Sequence, residues 1–255
     1  MKFQASELLL AWTGVSGFHV LLVFLRVGSA MALLPAFGEQ VVPARIKLAA
    51  ALSFTLILVP LVEPQNHGSA VLAAAGEVVA GLTLGFALRI LVLALQIAGT
   101  LIASATSLAQ IFGGGVGSEP QPAIGTLMVV SGLALATSLG LHVRVVEALV
   151  FSYALLPIGI LPDPQDLAGY AVADVARAFS FAFSLAAPFT VAALLYNLAL
   201  GVINRAMPQL MVSFVGAPAL TFGGLLLLVL SLPFALAIWL KALDATLSVP
   251  LLGEF

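Results

Sequence analysis

A few serine, histidine and glycine residues of this chain are of types that could carry out chemistry. Gly14–Gly17 reads Gly-Val-Ser-Gly, the GxSG form of an intramembrane serine protease, with His67 and His142 as conceivable bases. A four-residue match at the start of a chain is weak, and the order of the apolar segments does not suit that family. The pattern therefore does not favour proteolysis.

Nucleotide and metal chemistry find no better support. The glycine-rich run Gly113–Gly117 resembles a phosphate cradle, but no strand precedes it and no Lys-Ser/Thr pair follows it. The three histidines stand singly, without HExxH or paired carboxylates, and the chain has no cysteine. We therefore expect no cofactor and no metal site.

Ionisable side chains inside apolar stretches are a second kind of candidate, because each costs about 2.5–3.5 kcal/mol at mid-membrane. Some of them have an opposite charge three residues away, on the same helical face, where the two could neutralise each other. These pairs are Arg144 with Glu147, Asp174 with Arg177, and Lys241 with Asp244.

Arg26, Glu77 and Arg89 have no such neighbour in the sequence. Glu77 and Arg89 are twelve residues apart, about 18 Å along a straight helix, which is too far for contact within it. We predict that these three residues pair with charges on another helix or another subunit. Snorkelling to the membrane surface and a proton relay are the alternatives.

The elements that must position these residues are strongly apolar. Of the 255 residues, 62% are hydrophobic and 8% are charged, against about 45–50% and about 25% in ordinary globular domains. A water-exposed surface of this composition would carry large apolar patches, so a soluble protein is excluded. The net charge of −2, without a basic run, argues against a nucleic-acid partner.

Polar and Pro/Gly breaks divide the chain into six apolar segments. Ala and Leu dominate them, strict alternation is absent, and the runs far exceed strand length, so all six are predicted to be helices of an all-α polytopic protein. They are roughly Leu8–Leu34, Ile46–Val62, Ser69–Phe112, Ala123–Leu156, Leu167–Asn204 and Leu210–Leu247.

Four of these segments are too long for simple membrane spans. The third would reach about 66 Å and the last three about 50–57 Å, whereas the hydrocarbon core is about 30 Å thick. Kinks at Pro188, Pro218 and Pro233 and tilting absorb only part of the excess.

The charges of the loops disfavour the simplest way to shorten the third segment, which is to divide it into two spans. Folding the third segment into two spans would place Arg45 and Arg205 on opposite sides of the membrane, against the positive-inside bias. We therefore predict that long parts of these helices pack against other protein and rise beyond the bilayer.

Small residues recur at four-residue spacing, which lets helix backbones approach closely. They are Gly81 with Gly85, Gly99 with Ala103 and Ser107, and Gly132 with Ala136 and Gly140.

Between two long apolar segments, Gly113–Pro122 predicts an irregular backbone. Such backbone survives at membrane depth only where protein buries it or where it lines a cavity. The loop is therefore a candidate gate or plug, and an ordinary turn at the membrane surface is the alternative.

The order and spacing of further short stretches carry a resemblance that covers nearly the whole chain. They are Pro35–Gly38, Pro43–Lys47, Glu77 with Gly81 and Gly85, Gln96 with Gly99, Pro122–Gly125, Gly140 with His142, Ser152–Gly159, and Arg205–Gln209 leading to Gly216 and Pro218. In these stretches the chain resembles the FliR family of flagellar type III export-gate proteins, which is related to the SctT subunits of injectisomes. It departs from the family pattern at Met211, Ser213 and Gly113–Gly115.

The resemblance implies a single FliR/SctT-type export-gate domain over residues 1–255, with a core at about 8–247, forming one subunit of a helical assembly raised out of the bilayer plane. It implies a place in the bacterial inner membrane, at the flagellum basal body, with FliP-like and FliQ-like subunits. An FlhB-like protein would dock at the cytoplasmic entrance, and unfolded flagellar proteins would pass through the centre. A protein in this role needs no catalytic activity, so the resemblance implies that this chain is not an enzyme.

The resemblance also suggests site residues. The gate or plug loop would consist of Phe112, Gly113, Gly114, Gly115, Val116, Gly117, Ser118, Glu119 and Pro120, and the family-motif residues are Arg45, Lys47, Arg205, Pro208 and Gln209. A flagellar system is favoured over an injectisome. The alternative function is a secondary transporter of a small solute, although the chain shows no convincing internal repeat.

Overall fold

The chain is almost wholly helical where the computed structural model describes it, which is over residues 15–39, 42–64, 69–106, 123–207 and 212–248. Within these ranges there are seven α-helices and no strand. They are α1 (Gly17–Leu33), α2 (Ala44–Leu58), α3 (Ala70–Ala105), α4 (Ala123–Ser138), α5 (Leu141–Leu155), α6 (Pro164–Ala206) and α7 (Val212–Ser248), and one 3₁₀ turn, Val59–Leu61, follows α2. The prediction of an all-α polytopic protein is confirmed.

The helices begin where the local chemistry allows it. Ser16 precedes α1, and its Oγ accepts the backbone N–H of His19 at 3.2 Å, which satisfies one of the free donors of the first turn. Pro164 opens α6, and the preceding Asp163 accepts the N–H of Gln165 through Oδ1 at 2.7 Å. Proline suits this first position because its missing N–H would have had no partner there.

One segment that the sequence predicts as a single helix consists of two helices in the structure. The apolar run 123–156 breaks between α4 and α5 at Gly140, whose φ of 86° lies in the left-handed region. Glycine adopts this conformation without the Cβ clash that other residues meet, so the chain can change direction there. Sequence periodicity alone did not detect the break, since the residues on both sides are apolar.

Three helices are far longer than a bilayer is thick. Helices α3, α6 and α7 contain 36, 43 and 37 residues, or about 54, 65 and 56 Å, against a hydrocarbon core of about 30 Å. By length and apolarity, α2 with its 3₁₀ turn, α3, α6 and most of α7 could each cross a membrane, and α4 with α5 could form a fifth, broken span. The chain is a membrane protein.

The described helices group into two compact units. The first contains described residues within 1–90, 136–175 and 242–255, and the second contains those within 91–135 and 176–241. Helix α3 contributes residues to both, as do α6 and α7. The single domain expected over 1–255 stays a prediction.

The second unit has its own buried core around Trp239. This indole has no exposed surface, and its Nε1 donates to the carbonyl oxygen of Leu91 at 2.9 Å. Gly132 lies against it, because a Cβ there would come within 2.8 Å of Leu95 Cδ1 and 3.3 Å of the indole. Helix α4 therefore packs closely on α3 and α7 within this unit.

Candidate functional site

A buried ion pair joins α1 to α3 in the first unit. The Nε of Arg26 lies 2.8 Å from Glu77 Oε2 and its Nη2 lies 3.0 Å from Glu77 Oε1, while neither side chain has any exposed surface. Two parallel N–H···O bonds of this kind are stronger and more directional than a single one. The structure thus brings together two of the three residues that lacked a neighbour in sequence.

Arg26 also binds the end of α5. Its Nη1 donates to Ser152 Oγ at 3.2 Å and its Nη2 donates to the carbonyl oxygen of Leu156 at 2.8 Å. The guanidinium carbon lies 3.8 Å from the ring centroid of Tyr153, which adds a cation–π contact. The charge of Arg26 is therefore compensated by a carboxylate, a hydroxyl, a carbonyl and an aromatic face.

Glu77 extends the same cluster to the turn after α5. Its Oε1 accepts the backbone N–H of Gly159 at 2.8 Å. The turn comes very close to α3, since a Cβ on Gly76 would lie 2.6 Å from the carbonyl oxygen of Ile160. The charge cluster of Arg26, Glu77 and Ser152 thus attaches the α5–α6 turn to both α1 and α3.

Two glycines of α3 allow α1 to lie directly against α3. A Cβ on Gly81 would lie 2.1 Å from Ser29 Oγ and 2.2 Å from the carbonyl oxygen of Arg26, and one on Gly85 would lie 2.7 Å from that of Ala30. Real Cβ atoms do not come so close to other heavy atoms, so any larger residue would separate the helices. The spacing of Gly81 and Gly85 thus corresponds to a backbone-to-backbone contact of α1 and α3.

Arg89 has a different partner within the chain. It forms an ion pair with Glu39, in the segment between α1 and α2, and both side chains are about one-third exposed. Lys47 holds the same segment, because its Nζ donates to the carbonyl oxygen of Gly38 at 3.0 Å. The family-motif residue Lys47 therefore has a visible structural role.

Arg144, a member of one of the short-range charge pairs, has two acidic neighbours in the fold. Arg144 lies 3.9 Å from Glu147, as the spacing suggested, but its closer carboxylate is that of Asp244 at 3.1 Å. All three side chains are more than half exposed. Their contribution to stability is therefore small, since exposed pairs contribute about 0–1 kcal/mol.

The residues considered for proteolysis have other surroundings. Ser16 is exposed and caps α1, and His142 is exposed in α5, while His67 lies outside the described residues. Within the described part of the chain, no group of three or more His, Asp or Glu side chains could hold a metal ion.

Several predicted site residues cannot be placed. The gate or plug loop, Phe112 to Pro120, lies outside the described residues, as do Pro208 and Gln209. Arg45 and Arg205 are exposed, in the first turn of α2 and the last turn of α6.

Sequence reasoning missed the residues that complete the charge cluster. Ser152, Tyr153 and the carbonyl of Leu156 do not differ in type from many others in the chain. Their only signal was position, since all three lie in the stretch Ser152–Gly159 that contributes to the family resemblance. A hydroxyl beside an apolar helix end does not by itself reveal a partner 126 residues away.

Comparison with known proteins places the whole of this architecture in context. The sequence pattern of the family described as "Bacterial export proteins, family 1" matches residues 18–246, which include most of both units. Curated relatives bear the name flagellar biosynthetic protein FliR. That of Caulobacter vibrioides is 37% identical over 225 residues, covering 86% of this chain and 90% of that protein.

Two further relatives carry the same name. That of Aquifex aeolicus is 30% identical over 223 residues, covering 84% of this chain and 85% of that protein. That of Escherichia coli K12 is 28% identical over 237 residues, covering 89% and 88% respectively. The similarity therefore extends over most of the length of this chain and of each relative.

Proposed function

This chain belongs to the bacterial export proteins, family 1, and is a component of the flagellar type III export gate; from that premise we infer that it is an inner-membrane subunit of the flagellum basal body. It contributes structure to a transport path and catalyses no reaction. Unfolded flagellar proteins cross the membrane through the assembly to which it belongs.

The length of an exposed apolar surface supports the assembly. On α6, large exposed apolar side chains run from Val172 to Ile203, a distance of about 47 Å along the helix. The usual tilt of about 20° leaves about 44 Å of this along the bilayer normal, and a tilt of about 40° leaves about 36 Å. Since the hydrocarbon core is about 30 Å thick, part of this apolar surface lies beyond it, which supports cover by other protein.

Helix α7 presents a surface suited to helical partners. Its large exposed apolar side chains follow one another at four-residue steps, as in the ridges by which helices interlock. They are Phe222, Leu226, Leu230, Phe234 and Ile238, and they are called the α7 ridge below. We propose that FliP-like and FliQ-like subunits pack against this ridge and against α6, and that an FlhB-like protein binds at the cytoplasmic entrance.

The loop from Phe112 to Pro120 is proposed as the part that closes the path to ions at rest. Its four glycines and its place between two apolar helices support this role. Glycine-rich backbone can change conformation at little steric cost, so the loop can give way when a substrate arrives.

Co-purification tests the assembly. The tagged chain is expressed together with the FliP-like and FliQ-like proteins of its own genome, and each subunit recovered on the tag is quantified. Leu230→Lys and Phe234→Lys place a charge on the α7 ridge and are expected to reduce recovery at least tenfold. Val71→Lys, at a residue of α3 that is 78% exposed, is the matched control and retains full recovery.

Two outcomes would contradict the proposal. One is a wild-type chain that purifies as a stable lone monomer while the other subunits are present. The other is full recovery of those subunits on both ridge variants.

A further inference from the structure

An apolar groove opens between α1 and α2 in the first unit. Its volume is about 350 Å³, and its walls include Phe24, Leu25, Gly28, Leu48 and Ala51. This volume falls within the range of about 300–1,000 Å³ typical of sites for small molecules. From Phe24 to Ala32 the groove follows about 12 Å of α1, which suits a flexible hydrocarbon chain.

One cation lines this groove. Lys47 lies in the first turn of α2 and donates one hydrogen bond to the carbonyl oxygen of Gly38, so two of its three N–H donors remain for a ligand. Among the described residues no carboxylate forms an ion pair with Lys47, and the nearby Glu39 is paired with Arg89. The charge of Lys47 is therefore not neutralised by the described part of the chain.

The other polar side chain that lines the groove has no hydrogen-bond donor left for a ligand. Ser29 lines the groove, but its hydroxyl donates to the carbonyl oxygen of Arg26 at 3.1 Å. Every other side chain of the lining is apolar. A ligand that fits must therefore combine a long apolar part with a negative group close to Lys47.

We propose that this groove binds an anionic phospholipid, with one acyl chain along α1 and the phosphate on the ammonium group of Lys47. In a membrane, phospholipids are the molecules that join these two chemistries. Lysine near a helix end extends to the level of the headgroups while its stem covers apolar surface. The charge complementarity concerns this chain alone and does not depend on the proposed export role.

Lipid retention measured by native mass spectrometry tests the site. The full chain is extracted from vesicles of equal parts phosphatidylglycerol and phosphatidylcholine, and the lipids kept by each protein molecule are counted. We expect about one phosphatidylglycerol per chain. Because one lysine contributes about 1 kcal/mol towards an anionic lipid, we expect a preference of about fivefold over phosphatidylcholine.

Two variants separate the headgroup from the acyl chain. Lys47→Gln removes the charge, so the preference for phosphatidylglycerol should disappear, whereas Lys47→Arg should keep it. Gly28→Leu places a side chain in the groove, where it would block part of the path of the acyl chain, and should weaken retention of both lipids. Its Cβ would meet only the Phe24 ring, at 3.8 Å, so the new side chain can enter without displacing the backbone.

Matched controls come from the same chain. Arg45→Gln removes an exposed cation of the same helical turn that does not line the groove, and Gly201→Leu adds the same side chain at a glycine of α6 with nothing within 4 Å of its Cβ position. Both should retain lipid like the wild type.

The results that would overturn the proposal are specific. Equal retention of the two lipids by the wild type would rule out a site for the anionic headgroup, and unchanged retention in Gly28→Leu would place the lipid elsewhere. In the assembled gate, cross-links from Leu48→Cys to another subunit would show that a protein occupies the groove instead. Gly28→Leu decides independently if Lys47→Gln does not fold.

Discussion

At the scale of single residues, the arrangement around Arg26 and Glu77 shows how two charges can be buried in an apolar protein. Moving each ion out of water costs several kcal/mol, and mutual attraction repays this only with good geometry and further hydrogen bonds. Here the bidentate contact is completed by Ser152 Oγ, the carbonyl of Leu156 and the N–H of Gly159. The pair is therefore satisfied only when three parts of the chain are in place together.

Removing one member of this pair should be costly. We expect Arg26→Met to lower the free energy of unfolding by about 3–5 kcal/mol, because Glu77 is then buried without its counter-charge. The double variant Arg26→Met with Glu77→Leu should recover most of this loss. Urea-induced unfolding of the full chain in detergent measures both.

The exposed ion pair of Arg144 with Asp244 serves as the control for the unfolding measurement on Arg26→Met. Arg144→Met removes a cation that is half exposed, so its effect should stay within about 1 kcal/mol. If Arg26→Met proved as harmless as Arg144→Met, the buried cluster would have no role in stability.

Arg89 allows a test of whether its role is within the chain or between subunits. Arg89→Glu places a second acid beside Glu39, and the repulsion between them should reduce the amount of folded chain recovered from membranes several-fold. Adding Glu39→Arg restores opposite charges in exchanged positions and should restore recovery. Failure of the exchange to rescue, together with lost co-purification of the other subunits, would indicate a partner outside this chain.

At the scale of elements, the contact of α1 with α3 depends on the absence of side chains. Lipid removes most of the hydrophobic drive between helices, so their association relies on close packing and hydrogen bonds. The Cβ distances at Gly81 and Gly85 show that α3 presents bare backbone to α1 at these positions. The same contact brings Glu77 within reach of Arg26, one turn away along α3.

Gly81→Leu should separate these two helices. The new Cβ would meet Ser29 Oγ and the Arg26 carbonyl at about 2 Å, and overpacking of this kind typically costs about 1–3 kcal/mol, occasionally more. A lower melting temperature in detergent is the expected result. Gly201→Leu, at an open position of α6, should not lower it, because leucine has the higher helix propensity and meets no atom there. An equal loss in both variants would show that the contact at Gly81 is not responsible.

At the scale of the whole molecule, the long described helices differ in how much of their apolar surface the chain itself covers. Large exposed apolar side chains lie along α6 and on the α7 ridge, and only 28% and 22% of the most apolar stretches of these two helices are buried within the chain. The buried share of the corresponding stretch of α3 is 61%. Helix α3 is therefore largely enclosed by this chain itself, while most of the corresponding stretches of α6 and α7 are not.

The proposed closing role of Phe112 to Pro120 can be tested by a deletion. Deleting Gly113–Gly117 should make membranes that contain the assembled gate permeable to ions while protein export continues. The rate of dissipation of an ion gradient in intact cells measures the first effect, and secretion of a flagellar protein measures the second. Unaltered ion permeability would refute the closing role of the loop, and deletion of Leu251–Phe255 is a control of equal size.

Much of this fold could be predicted from local properties. Apolar content, helical composition and the positions of prolines and polar breaks place most helix bounds within a few residues of the observed ones. The predicted start at Leu8 and the predicted end at Phe112 lie outside the described residues. The break at Gly140 was the exception. Helix propensity acts over neighbouring residues, and the apolar sequence continues across this glycine, so only its left-handed backbone reveals the change of direction.

By itself, the sequence determined that this is an all-α membrane protein with helices too long for the bilayer, and its motifs indicated the export family. Only the tertiary structure decided that Arg26 pairs with Glu77 and Arg89 with Glu39, and that Ser152 and Leu156 complete the first pair. The physical reason is range. Helix formation and membrane preference depend on residues within a few positions, whereas these pairs join residues 50 or more positions apart and exist only once the helices have packed.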